Sequence, residues 1–254
     1  MSKLTKAEMR LHAQACEILQ SDTLTIHERE LVLKNWRPDA EGEVAHAGAF
    51  FTPFDLAKVF AIEANGAPSV IDLCAGIGGL AYQRWLRDRP SRLVCVERNP
   101  TFVAAGRKVL PEAEWIQASI FDVPAMDLGR FDLAISNPPF GRIPCEGQCP
   151  RYRGNLFEYR VIDLASTLAE QGVFLIPRSS SPIHFGGQDV DEPRAYRAFK
   201  EQTGISIDLG VGIDGEAYRD AWKGTRIVVE SVRVDFRSAA VIAPPLHIST
   251  RPRR

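Results

Sequence analysis

The sequence has no apolar run approaching 18 residues, so nothing in it reads as a membrane span. Its opening stretch, Met1-Ser2-Lys3-Leu4-Thr5-Lys6, lacks the apolar core of a secretory signal. Net charge is nearly absent as well: 31 Lys and Arg against 32 Asp and Glu leave −1, so any surface for nucleic acid has to be a local patch. Cysteines are few and odd in number: the five are scattered, which reads as reduced thiols in a cytoplasmic protein. Cys145 and Cys149 have no neighbouring ligands to complete a closed zinc site, and His46 and His184 have no evident partners, so no metal is expected. Internal repeats and low-complexity segments are missing too. What remains is a chain of 254 residues, 45% apolar, enough for one large domain with a small extension.

Residues 1–45 read as a helical N-terminal extension. Leu11, Ala15, Ile18 and Leu19 recur at helical spacing, and a second helix begins at Thr25 with Glu28 at capping-box distance. That second helix carries Leu31, Val32, Leu33 and Trp36 and is closed by Pro38. The extension fits a cap on the main domain or a substrate or partner arm. A linker at 39–49 leads into residues 46–237, the main domain. There, strand patterns at 69–74, 92–97, 114–118, 131–136 and 172–177 alternate with helical patterns at 54–64, 79–87, 100–109, 156–169 and 192–202. Two further strands, 205–210 and 226–236, follow without a long helix between them and so pair antiparallel. The alternation predicts an α/β fold, a doubly wound and mostly parallel sheet. Residues 238–254, ending Arg-Pro-Arg-Arg, read as a flexible basic tail, either solvated or in weak contact with phosphate.

Two places in this domain carry chemistry. The first is Ser136-Asn137-Pro138-Pro139-Phe140, which follows the apolar run 131–135. Consecutive prolines end the strand and hold the preceding residue extended, so Asn137 is presented rigidly where open α/β sheets bind ligands. Alone, the same residues also fit a stiff strand-ending turn. The second is Val70-Ile71-Asp72-Leu73-Cys74-Ala75-Gly76-Ile77-Gly78-Gly79, a strand running into a glycine turn and a helix. Its Gly-x-Gly-Gly spacing departs from the dinucleotide fingerprint. Asp72 before the turn repels phosphate and suits an ammonium group, and Glu97, ending the second strand, is placed to accept ribose hydroxyls. A nucleoside with a cationic amino-acid end, S-adenosyl-L-methionine, fits this pair better than a nicotinamide dinucleotide.

With Phe50-Phe51-Thr52-Pro53-Phe54 ahead of the first strand, these motifs resemble the class I S-adenosylmethionine-dependent methyltransferases that modify the N6 amine of adenine, the Asn-Pro-Pro-Phe type. The resemblance covers about residues 50–177 and is weaker to 236. It implies a Rossmann-like seven-stranded sheet whose seventh strand is antiparallel. It also implies a cofactor site of Phe51, Thr52, Pro53, Asp72, Cys74, Ala75, Gly76, Gly78, Glu97, Arg98, Ser119, Ile120 and Asn137. One departure is visible: the family often has an acid after the third strand, where this chain has Ser119, with Asp122 close behind.

Asn137, Pro138, Pro139 and Phe140 then become the catalytic set. The adenine amine is a poor nucleophile, and two acceptors, the Asn137 side-chain oxygen and the Pro138 carbonyl, draw electron density onto it as it becomes tetrahedral. Phe140 offers a face for the base. A base within a duplex must be flipped out to reach this site. The expected substrate contacts are Phe140, Arg142, Arg151 and Arg153 in the following loop, and Arg178 after the fifth strand. The expected substrate is nucleic acid, DNA before RNA, on the strength of the Phe-x-Thr-Pro resemblance. No separate target-recognition element is visible, so recognition is relaxed or comes from a specificity partner. The rivals are an RNA adenine methyltransferase, a protein glutamine methyltransferase, which typically carries Tyr after the prolines, and a non-catalytic scaffold.

Overall fold

The computed structural model describes residues 5–37, 50–144, 147–186 and 191–239. The alternating signals resolve into strands β1 (Ser69–Leu73), β2 (Arg92–Glu97), β3 (Glu114–Gln117), β4 (Phe131–Ser136), β5 (Ala169–Pro177), β6 (Asp208–Leu209) and β7 (Val229–Asp235). They form one seven-stranded sheet in the order β3-β2-β1-β4-β5-β7-β6. Pairs among β1 to β5 are parallel, and β7 runs antiparallel to both β5 and β6. The register sets the carboxyl ends of the parallel strands nearly flush: Asp72 lies beside Cys95 on one side and Ile135 on the other, and Glu97 beside Gln117. The strand order reverses between β1 and β4, and that opens a crevice at their carboxyl ends.

Parallel strands bury both faces, so β1, β2 and β4 are almost continuously apolar. On one face, Val70, Cys95, Leu133 and Val173 meet α3 (Phe54–Glu63), α4 (Gly79–Asp88) and α5 (Pro100–Val109). On the other, Ile71, Val94, Ala134 and Phe174 meet α6 (Phe157–Ala165) and α7 (Arg194–Thr203). A short α8 (Phe236–Ala239) closes the described chain.

The N-terminal helices α1 (Lys6–Ile18) and α2 (Ile26–Asn35) are part of this body, packed on its first face as a cap. Each begins with a capping box, at Thr5/Glu8 and Thr25/Glu28. Arg29 pairs with Glu112 at 2.9 Å, Lys108 Nζ donates to the Leu19 carbonyl at 2.7 Å, and Ala15, Val32 and Trp36 join the core. Leu11 does not: it is exposed, and His12 takes the inward position, where its Nδ1 accepts the Arg37 N–H at 3.1 Å. A histidine with a backbone donor to satisfy breaks the apolar count on which the sequence expectation rested.

Boundaries moved in three places. The helix expected over 156–169 ends at Ala165, because a turn at 166–168 feeds β5, which begins at Ala169. The strands expected over 205–210 and 226–236 are reduced to β6 and β7, separated by a 3-10 turn at Gly215–Ala221. The linker, Pro38, His46, Cys145 and the tail from 240 lie outside the described residues.

Gly106 in α5 has no room for a side chain, since a β-carbon there would overlap the Trp115 ring. Ordinary helix propensity favours alanine over glycine by about 1 kcal/mol. Here overpacking reverses the sign: Gly106→Ala is expected to destabilise by about 1–3 kcal/mol. A thermal melt with an unchanged or raised midpoint would contradict this packing.

Candidate active site

The crevice between β1 and β4 is a cavity of about 1140 Å³. One wall is the glycine turn. Cys74 and Gly76 have left-handed φ angles of 67° and 58°, and the φ of Gly78 is 88° just before α4 begins. At Gly76 a β-carbon would stand 3.0 Å from the Phe51 ring, so glycine is required both for the turn and for the close approach of the upstream aromatic. The Gly76 N–H donates to Glu97 Oε2 at 2.9 Å, and the Asn99 N–H to Glu97 Oε1 at 2.8 Å. Glu97 is thereby locked at the end of β2 with acceptor capacity still left on its carboxylate.

Asp72 is 1% exposed, and neither of its carboxylate oxygens has a partner in full hydrogen-bonding geometry, the Ala81 N–H only approaching it. Burial pushes its carboxyl well above the ordinary range; the Ala81 N–H in the first turn of α4 opposes this, and the neighbouring Glu97 adds to it. Glu97 is raised too, chiefly by burial, with the Asn99 and Gly76 N–H groups opposing. A buried carboxyl without a partner is costly, and a cationic ligand in this cavity would relieve it.

The opposite wall is the Asn-Pro-Pro-Phe turn. Ser136 Oγ donates to the Leu73 carbonyl, tying β4 to β1 where both strands end. Asn137 Nδ2 donates to the Phe50 carbonyl at 2.9 Å, and its Oδ1 is buried without a partner. The acceptor expected from the sequence is therefore present and unused.

Of the expected cofactor residues, Phe51, Thr52, Asp72, Cys74, Ala75, Gly76, Glu97, Arg98, Ser119, Ile120 and Asn137 line the cavity. Pro53 and Gly78 do not: Pro53 N-caps α3 and Gly78 backs onto Trp115. Ser119 stands just past the end of β3 with Asp122 beside it, both on the cavity. Among the expected catalytic residues, Asn137 and Pro139 line the cavity while Pro138 is buried behind them. Phe140 lies just beyond, its ring meeting Trp222 edge-on at 6.0 Å.

Three of the expected substrate-contact arginines are engaged within the protein. Arg151 is turned inward: its guanidinium donates to Asp163 Oδ1 at 3.0 Å, the Thr203 carbonyl at 3.0 Å and Ser166 Oγ at 2.6 Å. Arg153 donates to the carbonyls of Cys149, Tyr152 and Pro150 within its own loop. Arg178 pairs with the fully buried Glu230 at 2.6 Å and with Glu216 at 3.3 Å. A loop rich in arginine reads as a phosphate clamp from sequence, but here two of the arginines hold the loop's own carbonyls and anchor it to α6. Arg142 alone of the four is exposed with no side-chain partner among the described residues.

Several residues had no sequence signal. Glu158 is buried in α6, where it accepts the Gly141 N–H at 2.9 Å and the Ser180 hydroxyl at 2.6 Å, bracing the turn after Phe140. A lone acid in an amphipathic helix reads as surface, so only the fold reveals it. Phe121, Ile143 and Phe157 close the end of the cavity beyond Ser119, with Phe121 and Phe157 edge to face at 6.1 Å. Leu33 of α2 also reaches the cavity. The described residues contain no cluster of His, Cys, Asp and Glu that would hold a metal ion, and no helix long and apolar enough to cross a membrane.

No protein-family description and no curated protein matches the sequence. Solved structures do match in shape. A class I S-adenosylmethionine-dependent methyltransferase proposed for Listeria monocytogenes is 13% identical, with 96% of this chain and 84% of that one covered at a TM-score of 0.57. PH1948 of Pyrococcus horikoshii, a proposed RNA methyltransferase, is 17% identical, with 89% and 98% covered at a TM-score of 0.52. At these identities the likeness is one of fold: the seven-stranded sheet is the Rossmann-like methyltransferase architecture.

The raised carboxyl of Asp72 has a consequence for stability. A carboxyl with a folded pKa above its unfolded value stabilises the fold at low pH, and that contribution is lost as pH rises through the folded value. Glu97 acts with the same sign. Between the ordinary carboxylate range and the raised folded values, Asp72 and Glu97 are expected to lower the melting temperature of the ligand-free protein as pH rises, against the opposite contributions of the lowered Glu8, Glu28 and Asp235, and Asp72→Asn is expected to reduce that fall and raise the midpoint at pH 8. Parallel pH–melting profiles for the two proteins would refute the assignment of the slope to Asp72.

Proposed function

We propose that this chain is an S-adenosylmethionine-dependent methyltransferase acting on the exocyclic N6 amine of adenine in nucleic acid. The observation that carries the reading is the pair of unpartnered buried acceptors on opposite walls of one cavity, Asp72 on the glycine-turn side and Asn137 Oδ1 on the Asn-Pro-Pro side.

Asp72 suits the ammonium of the cofactor's methionine end, and Glu97 has acceptor capacity left for ribose hydroxyls. The apolar end formed by Ile120, Phe121, Ile143 and Phe157 suits an adenine ring, with Ser119 in the place where related enzymes often use an acid. When bound, the cofactor supplies a methyl group already activated on a sulfonium, so the protein needs no covalent intermediate. Asn137 Oδ1 accepts one N–H of the target amine, and the Pro138 carbonyl, the second acceptor expected from the sequence, has to turn towards the cavity that Pro138 itself does not line. Asn137 is held by a stiff turn, so little reorganisation of its amide accompanies the change at nitrogen. Phe140, steadied by Trp222, bounds the side from which the base arrives.

DNA is the first substrate reading, through the Phe50–Phe54 resemblance to DNA adenine methylases. The second is RNA, favoured by the likeness in fold to PH1948 and by the compactness of the chain. The exposed Arg142 is the candidate phosphate contact.

Labelled methyl transfer from S-adenosylmethionine to unmethylated duplex DNA, total RNA and protein extract tests the reading. Label is expected on N6 of adenine, with Asn137→Ala at least about 100-fold slower at saturating cofactor. Label confined to RNA would move the substrate to the second reading. Label on protein glutamine, or none on any polymer, would overturn the proposal.

A further inference from the structure

The hairpin of α1 and α2 lies far along the chain from Asn137, yet a short series of contacts joins them. Trp36, buried at the end of α2, stacks on Phe51 with ring centroids 5.7 Å apart and planes 23° from parallel. Phe102 meets both rings edge-on, Phe51 at 5.1 Å and Trp36 at 5.6 Å, and completes a three-ring cluster. The residue preceding Phe51 supplies the carbonyl that Asn137 Nδ2 donates to.

A primary amide has one accepting and one donating end on a common plane. Tying Nδ2 to the Phe50 carbonyl fixes which end faces away from it, and that end is the unpartnered Oδ1. A flipped amide would turn its NH2 group towards the N–H groups of an incoming amine, donor against donor. We propose that Trp36 and the Phe50 carbonyl are positioning groups: through the Trp36–Phe51 stack they hold the Asn137 amide in the orientation that presents its oxygen to the substrate amine. This deepens the reading of Asn137 given above and rests on it for its link to methyl transfer.

The arrangement makes a demand on position 137 that packing alone would not. The residue must donate to Phe50 and accept on its other side. The carboxyl introduced by Asn137→Asp meets that demand only when protonated, with its O–H donated to the Phe50 carbonyl. Ionised, it sets two acceptors against each other. Asp72 on β1 and Glu97 on β2 also oppose its ionisation, as does Asp122 after β3, while Arg98 favours it and the buried Cys74 thiol stays neutral. On the other side, Glu158 of α6 is hydrogen-bonded to Gly141 and Ser180, and Arg178 is paired with Glu230.

The test is a carbon-13 NMR titration of the new carboxyl in ligand-free Asn137→Asp, alone and combined with Trp36→Phe or Trp36→Ala. The carboxyl is expected to titrate well above the ordinary aspartate range of about 4. Trp36→Phe should leave that value in place, and Trp36→Ala should lower it by about one unit or more, because the Phe50 carbonyl is released. An aspartate value that Trp36→Ala leaves unchanged would overturn the proposal. Methyl transfer gives the second readout. With Asn137 intact, Trp36→Ala should lower kcat at saturating cofactor by about tenfold or more, and Trp36→Phe should restore it. Asn137→Asp should lose activity by about tenfold per pH unit above the carboxyl's pKa. An unchanged kcat per folded molecule in Trp36→Ala, or a flat pH profile in Asn137→Asp, would assign Trp36 to stability alone. If the wild type methylates no nucleic acid, the proposed function falls while the titration still decides the positioning role. Should Trp36→Ala fail to fold, Trp36→Leu makes the same comparison.

Discussion

The packing of one phenyl ring against a residue that has no side chain ties this molecule together. Phe51 fits over Gly76 so closely that a single added carbon on the glycine would stand 3.0 Å from the ring. The contact joins three segments distant in sequence. Behind Phe51 stand Trp36 and Phe102, from the N-terminal cap and α5. Ahead of it is the turn that bends β1 into α4 and gives an N–H to Glu97. Through the neighbouring Phe50 carbonyl it reaches Asn137. Displacing the ring would loosen the glycine-turn wall and the Asn-Pro-Pro wall of the cavity together, because interiors at crystal-like packing density transmit such shifts rather than absorb them.

Electrostatics in the cavity run against stability. Asp72 and Glu97 are both buried and both raised by that burial, and the charge of Glu97 raises Asp72 further. Several buried acids elsewhere are well partnered, although Glu63 Oε1 and two nitrogens of the fully buried Arg84 also lack hydrogen bonds. Asp163 takes two backbone N–H groups and the Arg151 guanidinium, Glu230 takes Arg178 and the Phe185 N–H, and Glu158 takes Gly141 and Ser180. Against that background, unpartnered Asp72 oxygens and an unpartnered Asn137 Oδ1 in one cavity mark the place where the fold holds polar groups ready for something else.

The parts of this arrangement written in local sequence were legible. Strand β4 running into two prolines, the glycines after β1 and the acid ending β2 each impose a backbone or a charge that no distant contact revises. The alternation of strands and helices was equally local, and with the class resemblance it led to the seven-stranded sheet. The arginines were misread because composition cannot say whether a guanidinium faces solvent or the carbonyls of its own loop. Glu158 was invisible because burial of a single acid depends on α6 meeting the turn after Phe140, a tertiary fact. His12 misled the count on α1 for the same reason: its partner, the Arg37 N–H, lies 25 residues away.

Under the proposed function, the internal use of those arginines bears on how a chain of net charge −1 would meet a polyanion. Were the loop after Phe140 a clamp of free guanidiniums, affinity would come from counterion release and be steeply salt-dependent. Instead Arg151 and Arg153 stiffen the loop, and Gly147 of that loop packs against Phe121, which itself closes the cavity beyond Ser119. The loop thus serves as a wall of the cavity more than as an electrostatic arm. With Arg142 the one of the four without a side-chain partner among the described residues, nucleic-acid binding at this loop would, under the proposed function, draw on the fit of an extruded base between Asn137 and Phe140 more than on charge. That favours a target already unpaired or easily unstacked, where the energy of flipping is least.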